Sequence, residues 1–156
     1  MSSINTALVD VHVFCRESGR TLYLLLHRAP EKRYAGLWRM VAGKVEAGER
    51  PLHAALRELT EETGLTAQAV WSLDYLHTYY DPQQDTCNLI PVFAVEVASC
   101  QQLTLSEEHD ASRWIMYEQA MEILRWPGQR EGLRRTHEDI VTALDRGAAF
   151  SVALDA

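Results

Sequence analysis

The residues best suited to chemistry lie in one segment, 43–65, which holds five glutamates. Three of them, Glu58, Glu61 and Glu62, are spaced i, i+3 and i+4, so on a helix they lie within about 100° of one another. Like charges at this spacing repel and lower stability. Clustered carboxylate oxygens suit a hard divalent cation such as Mg²⁺ or Mn²⁺. The spacing therefore indicates a metal site, with a solvated acidic helix face as the plainer alternative.

The segment from Pro51 to Thr63 is predicted to be the helix that carries these carboxylates. Proline is tolerated at the first helical position, and Gly64 can adopt the left-handed conformation that ends a helix. Apolar residues recur with helical periodicity and predict a face packed on a core: Leu52, Ala55, Leu56 and Leu59. Before the helix, Gly43 belongs to a loop whose backbone can approach a ligand closely.

The complete pattern is more specific than any residue in it. It reads Gly43, five residues, Glu49, seven residues, and then Arg-Glu-Leu-x-Glu-Glu-x-Gly-Leu over 57–65. Nine such positions, at average residue frequencies, match by chance about once in a billion starts. The segment resembles the Nudix box of the Nudix hydrolases at every specified position.

This resemblance implies the metal ligands. Glu58, Glu61 and Glu62 would bind the cation, Mg²⁺ or Mn²⁺, and the backbone carbonyl of Gly43 would be a further ligand. Glu58 and Glu61 are also expected to be catalytic. In the family the general base is either a box glutamate or a carboxylate from a distant loop, and that choice stays open here.

Arg57 is expected to have a catalytic role by orienting the carboxylates. It would hold Glu61 at i+4 or reach back to Glu49, and an ordinary surface ion pair is the alternative. Glu49 is then expected to support the metal ligands rather than to bind the metal. Glu46 is not a specified position of the box and is expected to be solvated.

A distant carboxylate is available in Ser106-Glu-Glu-His-Asp110. Glu108 precedes His109 and so matches the Glu-His that Nudix members similar to dihydroneopterin triphosphate pyrophosphatase carry before their last core strand. Glu108 is expected to be a metal ligand or the base, and a solvated loop acid is the alternative. Glu107 is the weaker candidate.

Substrate contacts require cations near the carboxylates and aromatic faces for a base. The candidates for binding phosphate are Arg28, Arg39 and Lys44, with surface solubility as the alternative. The aromatic candidates are Tyr34, Trp38, Tyr79 and Tyr80. Core packing is expected for Trp38, and substrate contact is expected for Tyr79 and Tyr80.

The element pattern predicts a mixed α/β (α+β) fold. Strands are predicted over 7–14, 21–27, 69–80, 89–97 and 113–116, and helices over 51–63, 117–124 and 131–146. A chain of 156 residues with no evident linker predicts a single domain over 1–156. The resemblance implies a Nudix-like α/β/α sandwich with a mixed β-sheet and the box as a loop–helix–loop.

Composition narrows the class of partner. The net charge is −7, from 15 basic and 22 acidic residues, which argues against a protein that binds nucleic acid through a basic surface. Cys15, Cys87 and Cys100 are far apart, and buried reduced thiols are expected rather than disulfides or zinc ligands. The sequence shows neither a membrane span nor a secretion signal, so a cytoplasmic protein is expected.

Outside the box, the chain loosely resembles the branch of dihydroneopterin triphosphate and dATP pyrophosphohydrolases. This implies metal-dependent hydrolysis of a phosphoanhydride in a nucleoside or pterin triphosphate, giving the monophosphate and pyrophosphate. One alternative is a hydrolase of a nucleoside diphosphate linked to another group, such as ADP-ribose, a dinucleotide or a nucleotide sugar. A non-catalytic nucleotide-binding regulator is disfavoured because the box is whole. The partner would be a small nucleotide-like phosphate, bound by a monomer or homodimer.

Overall fold

The structure, a computed structural model, describes residues 1–143 and 147–155. Its strands are β1 (Ser3–Asn5), β2 (Leu8–Glu17), β3 (Arg20–Arg28), β4 (Trp38–Arg39), β5 (Val41–Lys44), β6 (Ala69–Asp81), β7 (Thr86–Glu96), β8 (His109–Ile115) and β9 (Ser151–Val152). Its helices are α1 (Pro51–Thr63), α2 (Tyr117–Ile123) and α3 (Pro127–Arg135), followed by a π-helical turn (Thr136–Val141) and a 3₁₀ turn (Gly147–Phe150).

The strands form one mixed sheet, as the resemblance implies. Its main path runs β4-β3-β2-β7-β6-β9, while β1 pairs with β7, β5 with β2 and β8 with β3. The β2–β7 and β1–β7 pairs are parallel, and the other pairs are antiparallel. The predicted mixed α/β class is therefore confirmed.

Two hydrophobic cores lie on opposite faces of the sheet, and each joins the sheet to a layer of helices. Alternation along β2 sends Val9, Val11 and Val13 into the core that includes α1. Phe14 lies in the other core, with residues of α2 and α3 such as Ala120 and Leu133. The result is the predicted α/β/α sandwich.

Helix α1 has the bounds that the sequence predicts. Pro51 is at its start, and Gly64 ends it with φ 73° while its N–H donates to the carbonyl of Thr60 at 2.8 Å. In the described part of the chain, no helix is long and apolar enough to cross a membrane.

The later elements differ from the prediction at their ends. Strand β8 begins at His109 rather than at 113, because its pairing with β3 extends to Arg28. Helix α3 begins at Pro127, a residue suited to a first helical turn, rather than at 131. The predicted helix continues as the π-helical turn to Val141, and its last positions, 144–146, lie outside the described residues.

The cysteine prediction is wrong for one pair. Cys15, in β2, and Cys100 form a disulfide, with Cα atoms 5.5 Å apart although 85 residues separate them in sequence. Cys87 is a free, exposed thiol. Spacing along the chain could not reveal the pair, because folding alone brings the end of β2 against the segment that follows β7.

Candidate active site

The three box glutamates on α1 have different environments. Glu62 is only 2% exposed, and both of its carboxylate oxygens lack a hydrogen-bond partner among the described residues. Burial raises the pKa of Glu62 to about 8, an effect that the nearby charge of Arg39 opposes. Burial also raises the pKa of Glu58, whose side chain is mostly buried. Glu61 remains largely exposed.

Gly43 lies in β5, directly against the carboxyl group of Glu58. A Cβ atom built on Gly43 would be 2.0 Å from Cδ of Glu58, so any other residue would displace that carboxyl group. The next backbone N–H, that of Lys44, donates to Oε1 of Glu58 at 3.2 Å. Gly43 thus lies in a strand rather than in the predicted loop, and the group that its backbone approaches closely is the carboxyl of Glu58.

Arg57 connects the loop and the helix of the box. Its Nε and Nη2 donate to the two carboxylate oxygens of Glu49, at 2.9 Å each. Its Nη1 lies 3.0 Å from carboxylate oxygens of both Glu58 and Glu61, and its Nη2 donates to the carbonyl of Lys44 at 2.8 Å. Both contacts predicted for Arg57, to Glu61 and to Glu49, are thus present together.

Glu49 links Arg57 to the loop that precedes α1. Its Oε2 also accepts the backbone N–H of Glu46 at 2.9 Å. The hydrogen bonds from Arg57 lower the pKa of Glu49 to about 2, so its carboxylate is ionised at neutral pH. Glu46 itself is exposed, as expected for a residue that the box does not specify.

The segment 98–108 brings Glu108 to the box. The N–H of Ser106 donates to the carbonyl of Glu62 at 3.3 Å, which attaches this segment to the last turn of α1. The carbonyl of Glu108 accepts the N–H of Ala29 at 3.0 Å. Glu108 is therefore fixed between α1 and the end of β3.

The Glu108 side chain pairs with one of the predicted phosphate-binding cations. Nη1 of Arg28 lies 2.8 Å from Oε2 of Glu108. Partial burial raises the pKa of Glu108, but the hydrogen bond and charge of Arg28 outweigh it, and the net change lowers the pKa. Glu107, one residue earlier, is exposed.

Arg39 and His109 complete this neighbourhood. Nη2 of Arg39 donates to the carbonyl of Ala42 at 3.3 Å, while its buried Nε has no partner within the described ranges. His109 is buried with both ring nitrogens unpartnered there. Burial, followed by the charges of Arg39 and Arg28, lowers the pKa of His109 to about 4, so its ring is neutral at pH 7.

The carboxylates do not form a ready metal cluster. Within residues 1–143 and 147–155, no group of three His, Cys, Asp or Glu side chains is gathered to hold a metal ion. Nη1 of Arg57 engages the carboxylates of both Glu58 and Glu61 in this arrangement. The residues nevertheless fit a cation chemically, because Glu62 offers, next to this pair, two buried oxygens that lack a well-formed hydrogen bond from the described residues.

A cavity of about 1350 Å³ lies beside the box. The predicted residues that line it are Arg28, Tyr34, Trp38, Arg39, Gly43, Lys44, Glu58, Tyr79, Tyr80 and Glu108. Tyr79 and Tyr80 are neighbours in β6, so their side chains point to opposite faces of the strand. The hydroxyl of Tyr80 donates a hydrogen bond to Asp85 at 2.9 Å. Trp38 packs between His27 and Arg113, which agrees with the packing role expected for it.

Sequence reasoning missed several residues on the cavity wall. Asp10 and His77 form a buried hydrogen-bonded pair, and Arg33 and Trp126 also line the cavity. Asp10 alternates with valines in β2, a pattern that usually indicates a solvated face. Here α3 covers that face, and no local signal predicts this.

The mixed sheet between helices, with an acidic helix and arginines beside a large cavity, defines an α/β/α protein with a charged candidate site. A NUDIX domain family model matches residues 6–136. The chain therefore belongs to the Nudix family of hydrolases, a family that generally uses divalent metal ions.

Two relatives illustrate the range of similar proteins. The chain is 40% identical over 114 residues to an octanoyltransferase of Myxococcus xanthus, covering 72% of this chain and 31% of that protein. It thus spans less than a third of the length of that relative. It is also 34% identical over 104 residues to the nucleoside triphosphatase NudI of Klebsiella pneumoniae, covering 62% and 74% of the two chains.

Solved structures agree with the fold. A Nudix hydrolase from Listeria monocytogenes superposes with a TM-score of 0.74 at 26% identity, covering 96% of this chain and 100% of that one. The dihydroneopterin triphosphate pyrophosphohydrolase of Escherichia coli gives a TM-score of 0.69 at 20% identity, covering 86% and 97%. At that identity the second likeness shows the fold alone.

Proposed function

We propose that this chain hydrolyses a phosphoanhydride bond of a nucleoside or pterin triphosphate, in the presence of Mg²⁺ or Mn²⁺. The products would be the monophosphate and pyrophosphate. The family, the intact box and the similarity to a nucleoside triphosphatase support this proposal.

The observation that carries the proposal is the environment of Glu62. Among the described residues neither oxygen has a well-formed hydrogen bond, and only the charge of Arg39 and a backbone contact from Ala42 offset the burial, which penalises the charged form. A divalent cation at this position would remove the penalty. Its binding would displace the proton that the raised pKa of Glu62 favours at neutral pH.

The groups that would hold the cation are the carboxylates of Glu58, Glu61 and Glu62, and the carbonyl of Gly43. When bound, the cation would neutralise phosphate charge and lower the pKa of a water molecule. Arg57 keeps Glu58 and Glu61 next to each other, and its bidentate contact with Glu49 limits its own movement.

The cationic side chains would bind the phosphates. Arg39 has a buried Nε–H without a partner in the described residues, which suits an anionic oxygen. Lys44 is exposed at the edge of the cavity and supplies a mobile ammonium group. Arg28 would contribute charge from its position beside Glu108.

Glu108 is our candidate for the general base. Its lowered pKa keeps the carboxylate ionised at neutral pH, as a proton acceptor requires. Backbone contacts hold it in a fixed position on the cavity wall. It would accept a proton from the water that attacks phosphorus, while the hydrogen bond from Arg28 sets its orientation.

A panel of nucleotides tests the proposal directly. Purified protein would be incubated with nucleoside triphosphates, dihydroneopterin triphosphate, ADP-ribose and a dinucleoside polyphosphate, with Mg²⁺ or with EDTA. Phosphate would be measured with and without added pyrophosphatase, and Glu61→Gln protein would control for contaminating activity. We expect metal-dependent release of pyrophosphate from a triphosphate.

Product analysis in ¹⁸O-labelled water identifies the phosphorus that is attacked. Orthophosphate as the first product of a triphosphate would contradict the proposal. Turnover of ADP-ribose or the dinucleotide alone would favour a hydrolase of substituted nucleoside diphosphates. Binding without turnover of any compound would indicate a nucleotide-binding regulator.

A further inference from the structure

A pair of buried polar side chains forms a part of the cavity wall that the proposed reaction does not use. Asp10 lies in β2 and His77 in β6, 67 residues apart, and Oδ2 of Asp10 is 2.7 Å from Nδ1 of His77. They are 5% and 8% exposed, and both line the cavity. An ionisable pair buried beside a cavity is a candidate for ligand recognition.

Helix α3 makes room for the histidines of this wall. A Cβ atom on Gly128 would lie 2.2 Å from Nε2 of His77, and one on Gly132 would lie 2.5 Å from Nε2 of His12. The two glycines are four residues apart and share one face of the helix. Since glycine is a poor helix former, both positions give up helix stability to accommodate an imidazole ring.

The pair and the box border the same cavity, although alternation along β2 turns Asp10 away from the sheet face that packs on α1. Asp10 pairs with Ala42 in β5, and the next residue, Gly43, lies against Glu58. Asp10, Gly43 and Glu58 all line this cavity. A ligand whose phosphates lie at the box can therefore bring the group that they carry to Asp10.

Two partly exposed aromatic rings line the same cavity. Tyr34 and Trp126 meet edge to face, with centroids 5.9 Å apart, and the guanidinium of Arg33 lies over the Tyr34 ring at 4.8 Å. Tyr34 has φ 63°, a backbone conformation that is unfavourable for a bulky residue and often marks ligand sites. Such rings suit a planar heterocycle.

The hydrogen-bonding character of Asp10 selects the kind of heterocycle. A carboxylate has about four lone-pair positions that accept hydrogen bonds, and Nδ1 of His77 occupies one of those of Asp10. The best complement is an edge with two adjacent N–H donors, which a carboxylate can accept side by side. The 2-amino-4-oxopyrimidine ring shared by guanine and pterin has this edge, whereas hypoxanthine lacks the amino group.

We propose that Asp10, positioned by His77, is the specificity-determining residue of this enzyme and selects substrates that carry a guanine or pterin ring. This inference rests on the proposed function, because it assigns the group that the triphosphate carries. It adds a recognition role for residues outside the Nudix box.

A comparison of GTP with ITP measures the contribution of the guanine 2-amino group, because the two nucleotides have the same ribose and phosphates. We expect the wild type to favour GTP in kcat/KM by about 10–100-fold, the range that one bidentate base contact provides. Asp10→Asn turns an amide donor toward the ring and should bring the GTP/ITP ratio close to one. Asp74→Asn, the same change at an exposed position of β6, should leave the ratio unchanged.

Gly128→Ala tests the positioning role of His77 without altering either partner. Its Cβ would displace the imidazole from its contact with Asp10. We expect the GTP/ITP ratio to fall while the kcat for ITP is preserved. A parallel assay with dihydroneopterin triphosphate distinguishes a pterin substrate from a guanine substrate. The preferred compound will have the higher kcat/KM.

Calorimetric binding of GTP and ITP to Glu61→Gln protein provides a readout that needs no turnover. If the wild type hydrolyses no triphosphate but binding still favours GTP through Asp10, only the proposed function fails. The recognition role is overturned if Asp10→Asn leaves the GTP/ITP ratio unchanged. It is also overturned if folded Asp10→Asn protein loses both substrates equally.

Discussion

The box segment, 43–65, and the assembled wall, formed by Asp10, His77, Arg28 and Glu108, meet at one cavity but arise differently. In the box, Arg57 reaches its farthest partner only 13 residues away in sequence, at Lys44. In the assembled wall, Arg28 meets Glu108 across 80 residues and Asp10 meets His77 across 67. The proposed metal ligands on α1 are thus encoded locally, whereas the candidate base and the proposed selectivity pair depend on the sheet.

The largest effect is expected in the box, from Glu61→Gln. Glu61 is exposed, so the fold should survive, and the melting temperature should not fall, because the change also removes a charge that repels Glu58. Turnover at saturating Mg²⁺ should fall by several orders of magnitude, beyond the ~10²–10⁴-fold that loss of a general base alone causes. Steady-state kinetics with circular dichroism provides the check, and near-native kcat would remove Glu61 from the site.

In the assembled wall, Glu108→Gln should lower kcat much more than KM. Loss of a general base lowers the rate by about 10²–10⁴-fold, and an unchanged KM is the mark of an interaction made mainly in the transition state. Glu107→Gln is the matched control, because that side chain is exposed. Equal behaviour of the two variants, or damage only at Glu107, would place the reacting carboxylate elsewhere.

The pH dependence of the free energy of unfolding tests the environment of Glu62. Because burial raises its pKa to about 8, its contribution to stability is fully present below the unfolded value of 4.5 and is lost as pH rises through 8. In EDTA, Glu62→Gln should therefore match the wild type near pH 4.5 and exceed it at pH 8.5. One unit of pKa shift is ~1.4 kcal/mol, which moves the melting temperature by roughly 3–6 °C in a chain of this length.

Thermal melts of the wild type and Glu62→Gln protein at pH 4.5 and pH 8.5 test the direction of this stability difference. Saturating Mg²⁺ or Mn²⁺ at pH 8.5 should reverse the order, because only the wild type regains a partner for the buried carboxylate. A Glu62→Gln protein that the metal stabilises as much as the wild type would argue against Glu62 as a ligand.

The smallest effect on turnover is expected from reducing the disulfide. The unfolded, unreduced protein should expose one thiol, that of Cys87, and reduction should expose all three. Reduction should lower stability by about 2–4 kcal/mol. Turnover should remain close to that of the oxidised protein, because Ser106 still anchors the segment that carries Glu108. Thiol titration and urea unfolding measure both, and three thiols before reduction would contradict the pairing.

The sequence alone determined the box. Proline, glycine and apolar spacing predict the ends and buried face of α1, and the glutamate spacing predicts which carboxylates share a face. These features depend on interactions within a few turns of the chain, so local rules suffice. The Glu108–His109 pair was also identified from sequence, but only through its resemblance to other Nudix members.

Only the tertiary structure decided the rest of the site. Asp10 alternates with valines like a residue on a solvated strand face, and its burial depends on α3, more than 110 residues later. The Cys15–Cys100 disulfide and the Arg28–Glu108 pair likewise depend on strand order. The physical reason is that periodicity indicates which residues share a face, whereas the partner covering that face is set by the packing of the whole sheet.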